Sequence, residues 1–155
     1  MIVMYAVVRI RGSVDVDREI KDTLSMLRLK AQNNAMICTE NKEWKGMLQK
    51  VKDWVTFGEI DKKTLMLLLE KRLRTTGDKR VDAKLLKEAT GYDSFEKFAD
   101  DMVNQKIVLK NFRKLKPFFR LTPPSKGFKS VKLHYPRGDL GYRGKEINEL
   151  LERMV

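Results

Sequence analysis

The sequence predicts a fold that mixes strands and helices, in which a small sheet carrying two helices is followed by a helical extension and an irregular basic segment. Hydrophobic residues alternate between a strand period and a helical period up to Ile60, and they keep the helical period to residue 105. The next 40 residues contain all four prolines of the chain. Hydrophobic residues make up 42% of the 155 residues, which is enough to form a folded core.

The first 60 residues are predicted to follow the order β-α-β-α-β. The first strand covers residues 5–11 and ends at Gly12, and its alternation places Val7, Arg9 and Arg11 on one face. Further strands are predicted at residues 35–39 and 54–60. Between the strands, apolar residues at helical spacing predict two helices, with the stripes Val16, Ile20, Leu24, Leu27 and Trp44, Leu48, Val51. We therefore expect a sheet core at residues 1–60.

The middle of the chain is predicted to be helical over residues 61–105. Its first helix is apolar nearly all round at residues 65–69, so it should bury more than one face. Residues 106–145 form the irregular basic segment, with short strands expected near residues 118–121 and 131–135. A final helix within residues 146–155 carries Ile147, Leu150, Leu151 and Met154 on one stripe, which should dock the C-terminus on the core.

The positive charge is concentrated in one segment. Lysine and arginine total 33 against 21 aspartates and glutamates, a net charge of +12, and residues 106–145 hold 12 of the basic side chains but only one acid, Asp139. The same segment contains six aromatic residues. Basic residues interleaved with aromatic ones suit phosphate neutralisation and stacking on bases. A polyanionic partner is therefore expected, nucleic acid first and an anionic membrane surface second.

Other function classes are disfavoured by the sequence. No run reaches the roughly 18 apolar residues that a membrane span requires. One cysteine, Cys38, and one histidine, His134, form neither a metal-ligand pattern nor a catalytic constellation. A glycine-rich phosphate loop is also missing. We expect no enzymatic activity, no cofactor, no metal, no small-molecule substrate and no membrane partner.

The candidate RNA-binding residues lie in three places. Arg9 and Arg11 are about 7 Å apart along an exposed strand face, comparable to the phosphate spacing of one RNA strand. The turn over residues 28–34 offers cations and amides, although its asparagines also suit ordinary turn chemistry. The third place is the basic segment. The full set is Arg9, Arg11, Arg28, Lys30, Gln32, Asn33, Asn34, Lys110, Arg113, Lys114, Lys116, Phe119, Arg120, Lys126, Phe128, Lys129, Lys132, His134, Tyr135, Arg137 and Arg143.

The sequence also resembles a known family. The resemblance is carried by Thr23-Leu24, Leu27, Leu29, Asn34, Met47-Leu48, Val51 and Trp54-Val55, and by the stretches RLTPPSKGFK at 120–129 and GDLGYRGKEINELLERM at 138–154. In that spacing they resemble the large-subunit ribosomal protein L-thirty family, called L-seven in eukaryotes, in its long archaeal and eukaryotic form.

The resemblance has consequences for fold and function. It implies an α+β fold akin to the ferredoxin-like one, with an antiparallel three-stranded sheet and the first strand central, whereas the β-α-β order by itself suggests a parallel pair. It further implies a cytoplasmic, ribosome-bound protein that binds large-subunit rRNA near the 5S particle, beside neighbouring ribosomal proteins, without catalysis. Two other functions remain open from the residues: a free-standing RNA-binding regulator or chaperone, and a basic protein–protein adaptor that docks through residues 65–69.

Overall fold

A five-stranded mixed sheet forms the centre of the molecule. The computed structural model describes residues 4–12 and 14–155, so residues 1–3 and 13 of the predicted sheet core lie outside the described part. The strands are β1 (Met4–Arg9), β2 (Asn34–Thr39), β3 (Val55–Glu59), β4 (Phe119–Arg120) and β5 (Gly141–Tyr142), and their spatial order is β4-β2-β1-β3-β5. β1 pairs antiparallel with both β2 and β3, β2 pairs antiparallel with β4, and β3 pairs parallel with β5.

The α+β class and the antiparallel core with β1 at its centre are confirmed. The parallel pair suggested by the β-α-β order alone is wrong for β1 and β2. β2 begins at the end of the sheet at which β1 stops, where the Asn33 amide donates to the Arg9 carbonyl at 2.8 Å, so the two strands run in opposite directions. The sheet is also wider than the three strands expected, because the basic segment adds one two-residue strand to each edge.

Six α-helices cover this sheet in the described part of the chain. They are α1 (Arg18–Met26), α2 (Lys42–Val51), α3 (Lys62–Arg72), α4 (Ala83–Thr90), α5 (Phe95–Val103) and α6 (Ile147–Met154). The side chains of Asn41, Asp82 and Ser94 cap α2, α4 and α5 by accepting backbone N–H groups of the first turn. The stretch predicted to be helical after Ile60 thus forms α3, α4 and α5. Of the two short strands expected in the basic segment, β4 forms, whereas residues 131–135 form no strand.

Both faces of the sheet are buried. On one face, Val7 of β1 packs with apolar residues of α1, the turn that follows it, α2 and β3, which are Leu24, Leu27, Leu29, Leu48, Val51 and Val55. On the other face, Ala6 and Val8 pack with a larger cluster from α3 to α6, which includes Leu65, Leu68, Phe98, Ile147, Leu150, Leu151 and Met154. The C-terminal helix therefore lies on the sheet with its whole predicted stripe buried.

β3 and the turn at residues 144–146, which leads into α6, approach each other closely at one glycine. A Cβ added to Gly58 would lie 2.0 Å from the carbonyl oxygen of Gly144, far inside van der Waals contact. The Asn148 side chain holds the same junction, because its amide accepts from the Asp61 N–H at 2.8 Å and donates to the Glu59 carbonyl at 3.1 Å. This junction ties the C-terminal helix to the sheet.

We predict opposite effects of the same substitution at two glycines. Gly58→Ala should lower the free energy of unfolding by about 1–3 kcal/mol or more, because a backbone carbonyl has to move to admit the methyl group. Gly46→Ala, within α2 and with open space around it, should raise that free energy by about 0.5–1 kcal/mol through helix propensity. Denaturant unfolding of both variants measures the difference. Equal effects would show that β3 and the turn that leads into α6 are not packed as closely as described.

Candidate nucleic-acid interface

Five segments of the chain meet at one end of the sheet. β1 and β4 end there, and β2, β3 and β5 begin there. We call this region the basic end and define it as residues 9–11, 28–34, 52–54, 119–121 and 130–140. These segments contain eight arginines and lysines against two aspartates.

The centre of the basic end is held by one carbonyl. The Trp54 oxygen, just before β3, accepts from the amides of Ile10 at 2.9 Å and Arg11 at 3.2 Å. The Arg11 guanidinium also lies 5.7 Å from the centre of the Trp54 ring, which gives it a cation–π contact. Arg11 is half-buried. It is the one member of the predicted Arg9–Arg11 pair that remains accessible to a ligand.

The turn before β2 joins the centre to the β4 edge. The Asn33 carbonyl accepts from the Leu121 amide at 3.2 Å, and Asn34 pairs with Arg120. Arg28 and Asn33 both adopt left-handed backbone angles, with φ of 61° and 67°. Asparagine tolerates that conformation, so the turn chemistry expected of the sequence is present. The same turn leaves Arg28 exposed, together with Lys30 and Gln32.

The loop before β5 closes the opposite side of the basic end. His134 Nε2 lies 2.6 Å from a carboxylate oxygen of Asp53, next to the Trp54 carbonyl. The predicted His134 therefore contacts protein rather than standing free, although nearly half of its side chain stays exposed. The cations of this loop, Lys132 and Arg137, are exposed.

A buried carboxylate orders that loop. Asp139 is 2% exposed and accepts from the amides of Lys129 and Ser130 and from Arg143 Nη2, the last at 2.9 Å. The Arg143 guanidinium lies 5.4 Å from the centre of the Tyr135 ring. The single acid of residues 106–145 thus anchors the loop inside the protein. Its charge is matched by Arg143 and is withdrawn from the surface.

Residues 114–116, near the start of the basic segment, pack on the loop at residues 74–80, which the sequence did not indicate as part of an interface. The Thr76 amide donates to the Lys114 carbonyl and the Lys116 amide to the Arg74 carbonyl, both at 2.9 Å. The Asp78 carboxylate is paired with Lys116 at 3.0 Å and with Arg120 at 3.5 Å. The hydrogen bond from Lys116 lowers the pKa of Asp78 below its usual value. This contact connects residues 113–116 to the basic end.

Three further cations become candidates for the interface because of this contact. They are Arg74, Lys79 and Arg80, which the run RTTGDKR at 74–80 carries in the sequence. In the sequence, the only indication that this loop belongs to the interface was the presence of basic residues close to a Gly-Asp turn. That signal is weak, because such a run is also what an ordinary solvated loop contains.

The predicted residues divide by their exposure. Thirteen are exposed: Arg28, Lys30, Gln32, Lys110, Arg113, Lys114, Arg120, Lys126, Lys129, Lys132, His134, Tyr135 and Arg137. Four are half-buried: Arg11, Asn33, Lys116 and Phe128. The remaining four, Arg9, Asn34, Phe119 and Arg143, are buried.

The prediction that Arg9 lies on an exposed strand face is wrong, and the candidates Asn34, Phe119 and Arg143 are buried as well. Arg9 is 2% exposed, because its strand face is covered by α1 and α2, and its guanidinium donates to the carbonyls of Arg11 and Leu29. Burial lowers the pKa of Arg9 below its usual value. Asn34 is buried within the β2–β4 pair, and Phe119 lies in the core.

The described residues contain neither a membrane-spanning helix nor a cluster of metal-ligating side chains. No helix of the described part is long and apolar enough to cross a membrane. Within residues 4–12 and 14–155, histidine, cysteine and acidic side chains also form no group of three suited to hold a metal ion.

We predict that removal of Asp139 destabilises the protein. Asp139→Ala should lower the free energy of unfolding by about 3–5 kcal/mol, because it leaves the Arg143 guanidinium buried without its partner. Asp78→Asn makes the same change in net charge at a surface carboxylate, keeps a residue type that tolerates the left-handed backbone of this position, and should leave the unfolding midpoint nearly unchanged. Denaturant unfolding compares the two, and limited proteolysis should nick residues 129–143 first in Asp139→Ala. Equal stability of the two variants would contradict the role of Asp139.

Comparison with known proteins identifies the family. A family model described as ribosomal protein L30p/L7e matches residues 5–55. The large ribosomal subunit protein uL30 of Archaeoglobus fulgidus is 52% identical over 151 residues, covering 97% of this chain and 99% of the relative. The protein of that name from Methanocorpusculum labreanum is 47% identical over 152 residues, with the same coverage of 97% and 99%.

A third relative, the uL30 protein of Nanoarchaeum equitans, is 45% identical over 155 residues and covers 98% of this chain and 99% of its own length. These proteins are ribosomal and not enzymes, which confirms the expectation that the chain has no catalytic activity. With identity of this level along nearly the whole chain, the protein belongs to the ribosomal protein L30p/L7e family.

Proposed function

We propose that the protein is a structural constituent of the large ribosomal subunit that binds large-subunit rRNA through its basic end, in the neighbourhood of the 5S particle. In this function it resides on cytoplasmic ribosomes, beside other ribosomal proteins. The observation that carries the proposal is the convergence of five chain segments, with eight cationic residues, on one end of the sheet.

The geometry of the basic end suits a folded RNA. Its exposed cations come from separate loops, so they can neutralise phosphates on more than one strand or turn of an RNA helix. The cations are also held in place, because the backbones of the segments at 9–11, 28–34, 52–54 and 119–121 are bonded to one another or to adjacent residues, and the loop at 130–140 is tied by its own hydrogen bonds and by the side chains of His134 and Asp139. Ordered cations impose a register on the RNA, whereas a disordered tail supplies only general attraction.

The adaptor function is disfavoured by the position of its proposed docking face. Leu65, Leu68 and Leu69 are fully buried between the sheet and the other helices, which leaves only Met66 and Leu67 of this run partly exposed to a partner. A regulator or chaperone would bind RNA through the same basic end but would not stay bound to the large subunit. We expect the protein to stay with large subunits through a high-salt wash, as measured by sedimentation. Quantitative release together with soluble RNA would favour the regulator.

The RNA interface can be tested with matched charge variants. Arg28→Gln combined with Lys30→Gln removes two exposed cations from the basic end. Lys42→Gln combined with Lys63→Gln removes two exposed cations where α2 and α3 begin, at the opposite end of the sheet. The first double variant should reduce the slope of log K against log salt by roughly 1–2 on a large-subunit rRNA fragment, since each phosphate contact contributes about 0.7–0.9. The second should leave that slope unchanged.

Specificity is tested on the same proteins with an unrelated RNA duplex. The basic-end variant should lose more affinity for the rRNA fragment than for the duplex, because ordered loops fix one register. A quadruple change of Lys110, Arg113, Lys114 and Lys116 to Gln should weaken both RNAs alike and reduce the slope by roughly 2–4. If the variant at the opposite end reduces the slope instead, the basic end is not the interface.

A further inference from the structure

A cavity lined by aromatic rings lies at the end of the sheet opposite the basic end. It has a volume of about 240 Å³ and is bounded by one side of α2, by the segment that joins β2 to α2, and by residues of β1, β3 and β5. Its aromatic lining consists of Tyr5, Trp44, Phe57 and Tyr142. The cavity is smaller than the roughly 300 Å³ at which small-molecule sites begin. It therefore suits the end of a single long side chain.

The strand pairing sets the walls of this cavity. Phe57 and Tyr142 are partners in the parallel β3–β5 pair, and their ring centres are 5.6 Å apart. Tyr5 stands opposite Glu59 in the antiparallel β1–β3 pair. α2 covers the other side of the cavity with Trp44. Tyr142 is 52% exposed, so an aromatic face is open to a ligand.

Two carboxylates and one ammonium group give the surroundings of this aromatic cavity a net negative charge. Glu40 and Lys45 line the cavity directly, and Glu59 lies behind Tyr142, whose hydroxyl donates to it. The hydrogen bond with Glu59, followed by burial and the Glu59 charge, raises the pKa of Tyr142 to about 12. The pKa of Tyr5 is also raised, first by burial and then by the charges of Glu40 and Glu59.

The chemistry selects a cation over a nucleotide. Carboxylates repel phosphates, while aromatic faces attract ammonium and guanidinium groups. Proteins that bind RNA carry such groups in excess, since they have to neutralise phosphates. We propose that this cavity, defined by Tyr5, Glu40, Trp44, Phe57 and Tyr142, is a docking site for a lysine or arginine side chain on a basic segment of a neighbouring large-subunit protein. The identity of that neighbour class rests on the proposed function, whereas the cation site itself does not.

The chain carries its own competitor for this site. Lys45 of α2 forms an ion pair with Glu40, and more than half of its side chain is exposed. Exposed ion pairs of this kind are weak and are readily replaced by another cation. An incoming lysine or arginine would therefore take over the contact with Glu40. Loss of Glu40 should therefore weaken the binding of an external cation, whereas loss of Lys45 should strengthen it.

The experiment is a titration of the full-length ¹⁵N-labelled protein with blocked peptides, followed through the indole N–H signals of its two tryptophans. The probes are acetyl-Gly-Gly-Arg-Gly-Gly-amide, its lysine counterpart and its glutamine counterpart. Trp44 lines the cavity, whereas Trp54 lies at the basic end and serves as an internal reference. The arginine and lysine peptides should shift Trp44 and leave Trp54 unchanged, with a dissociation constant of the order of millimolar.

Three single substitutions test how Glu40 and Lys45 affect the affinity for the arginine peptide. Glu40→Gln should weaken binding of the arginine peptide roughly threefold to tenfold, and Lys45→Gln should strengthen it by about twofold or more. Glu43→Gln is the matched control, because it removes an exposed acid from the same helix without touching the cavity, and it should leave the affinity unchanged. All three substitutions lie on the surface, and the spectrum of each free variant verifies its fold.

The remaining outcomes overturn the proposal. An equal response of Trp44 to the glutamine peptide would show that no cation is recognised. A larger response to adenosine monophosphate than to the arginine peptide would assign the cavity to RNA. Neither outcome affects the basic end, since the charge variants of that end are measured by salt dependence on RNA.

Discussion

The central strand is the constraint on which the rest of the molecule depends. β1 is paired along both edges, by β2 and β3, and is packed on both faces. Val7 and Val8 are adjacent in sequence, point to opposite faces and are both fully buried. Around β1 a sheet of this kind offers no open face to a ligand. Recognition is therefore left to the loops at its two ends, where backbone and polar side chains can remain in water.

The two ends differ in charge because of what the chain places there. At the basic end five exposed residues are lysines or arginines, and one of the two acids, Asp139, is buried against Arg143. A segment with a net charge of +11 repels itself, so an internal carboxylate is an effective means of holding it in one conformation. At the other end Glu40 and Glu59 stand beside aromatic rings. One end thus suits phosphate and the other suits a basic side chain.

The sequence predicted the elements of the sheet core better than their surroundings. Segments such as α2 and β3 were predicted because the spacing of their apolar residues indicates directly which side chains are buried. The antiparallel order came from family resemblance, since periodicity carries no information on strand direction. β4 and β5 are two residues long and have no period to detect. They form because Phe119 enters the core and because Thr56 Oγ1 donates to the Gly141 carbonyl at 3.0 Å.

The sequence predicted which segments form the candidate site more accurately than which of their residues are exposed. Residue type identified the turn at 28–34 and the basic segment, yet it could not separate an arginine that faces water from one that satisfies internal carbonyls. Arg9 and Arg143 were therefore included although both are buried. One signal was present for Arg9: residues 5–8 are almost continuously apolar, a pattern typical of a strand buried on both faces. The aromatic residues of the basic segment were likewise assigned to stacking, whereas Phe112 packs on Phe98 in the core.

Directed hydroxyl-radical probing tests the central claim, that the basic end faces rRNA, most directly. An iron chelate attached to Lys30→Cys places the probe at the basic end, and Lys42→Cys places it where α2 begins. Cys38 can stay in the chain, because it is buried and burial raises the pKa of its thiol to about 12, so it is not labelled. In reconstituted large subunits, the probe at position 30 should cleave rRNA strongly and the probe at position 42 weakly. Stronger cleavage from position 42 would contradict the account.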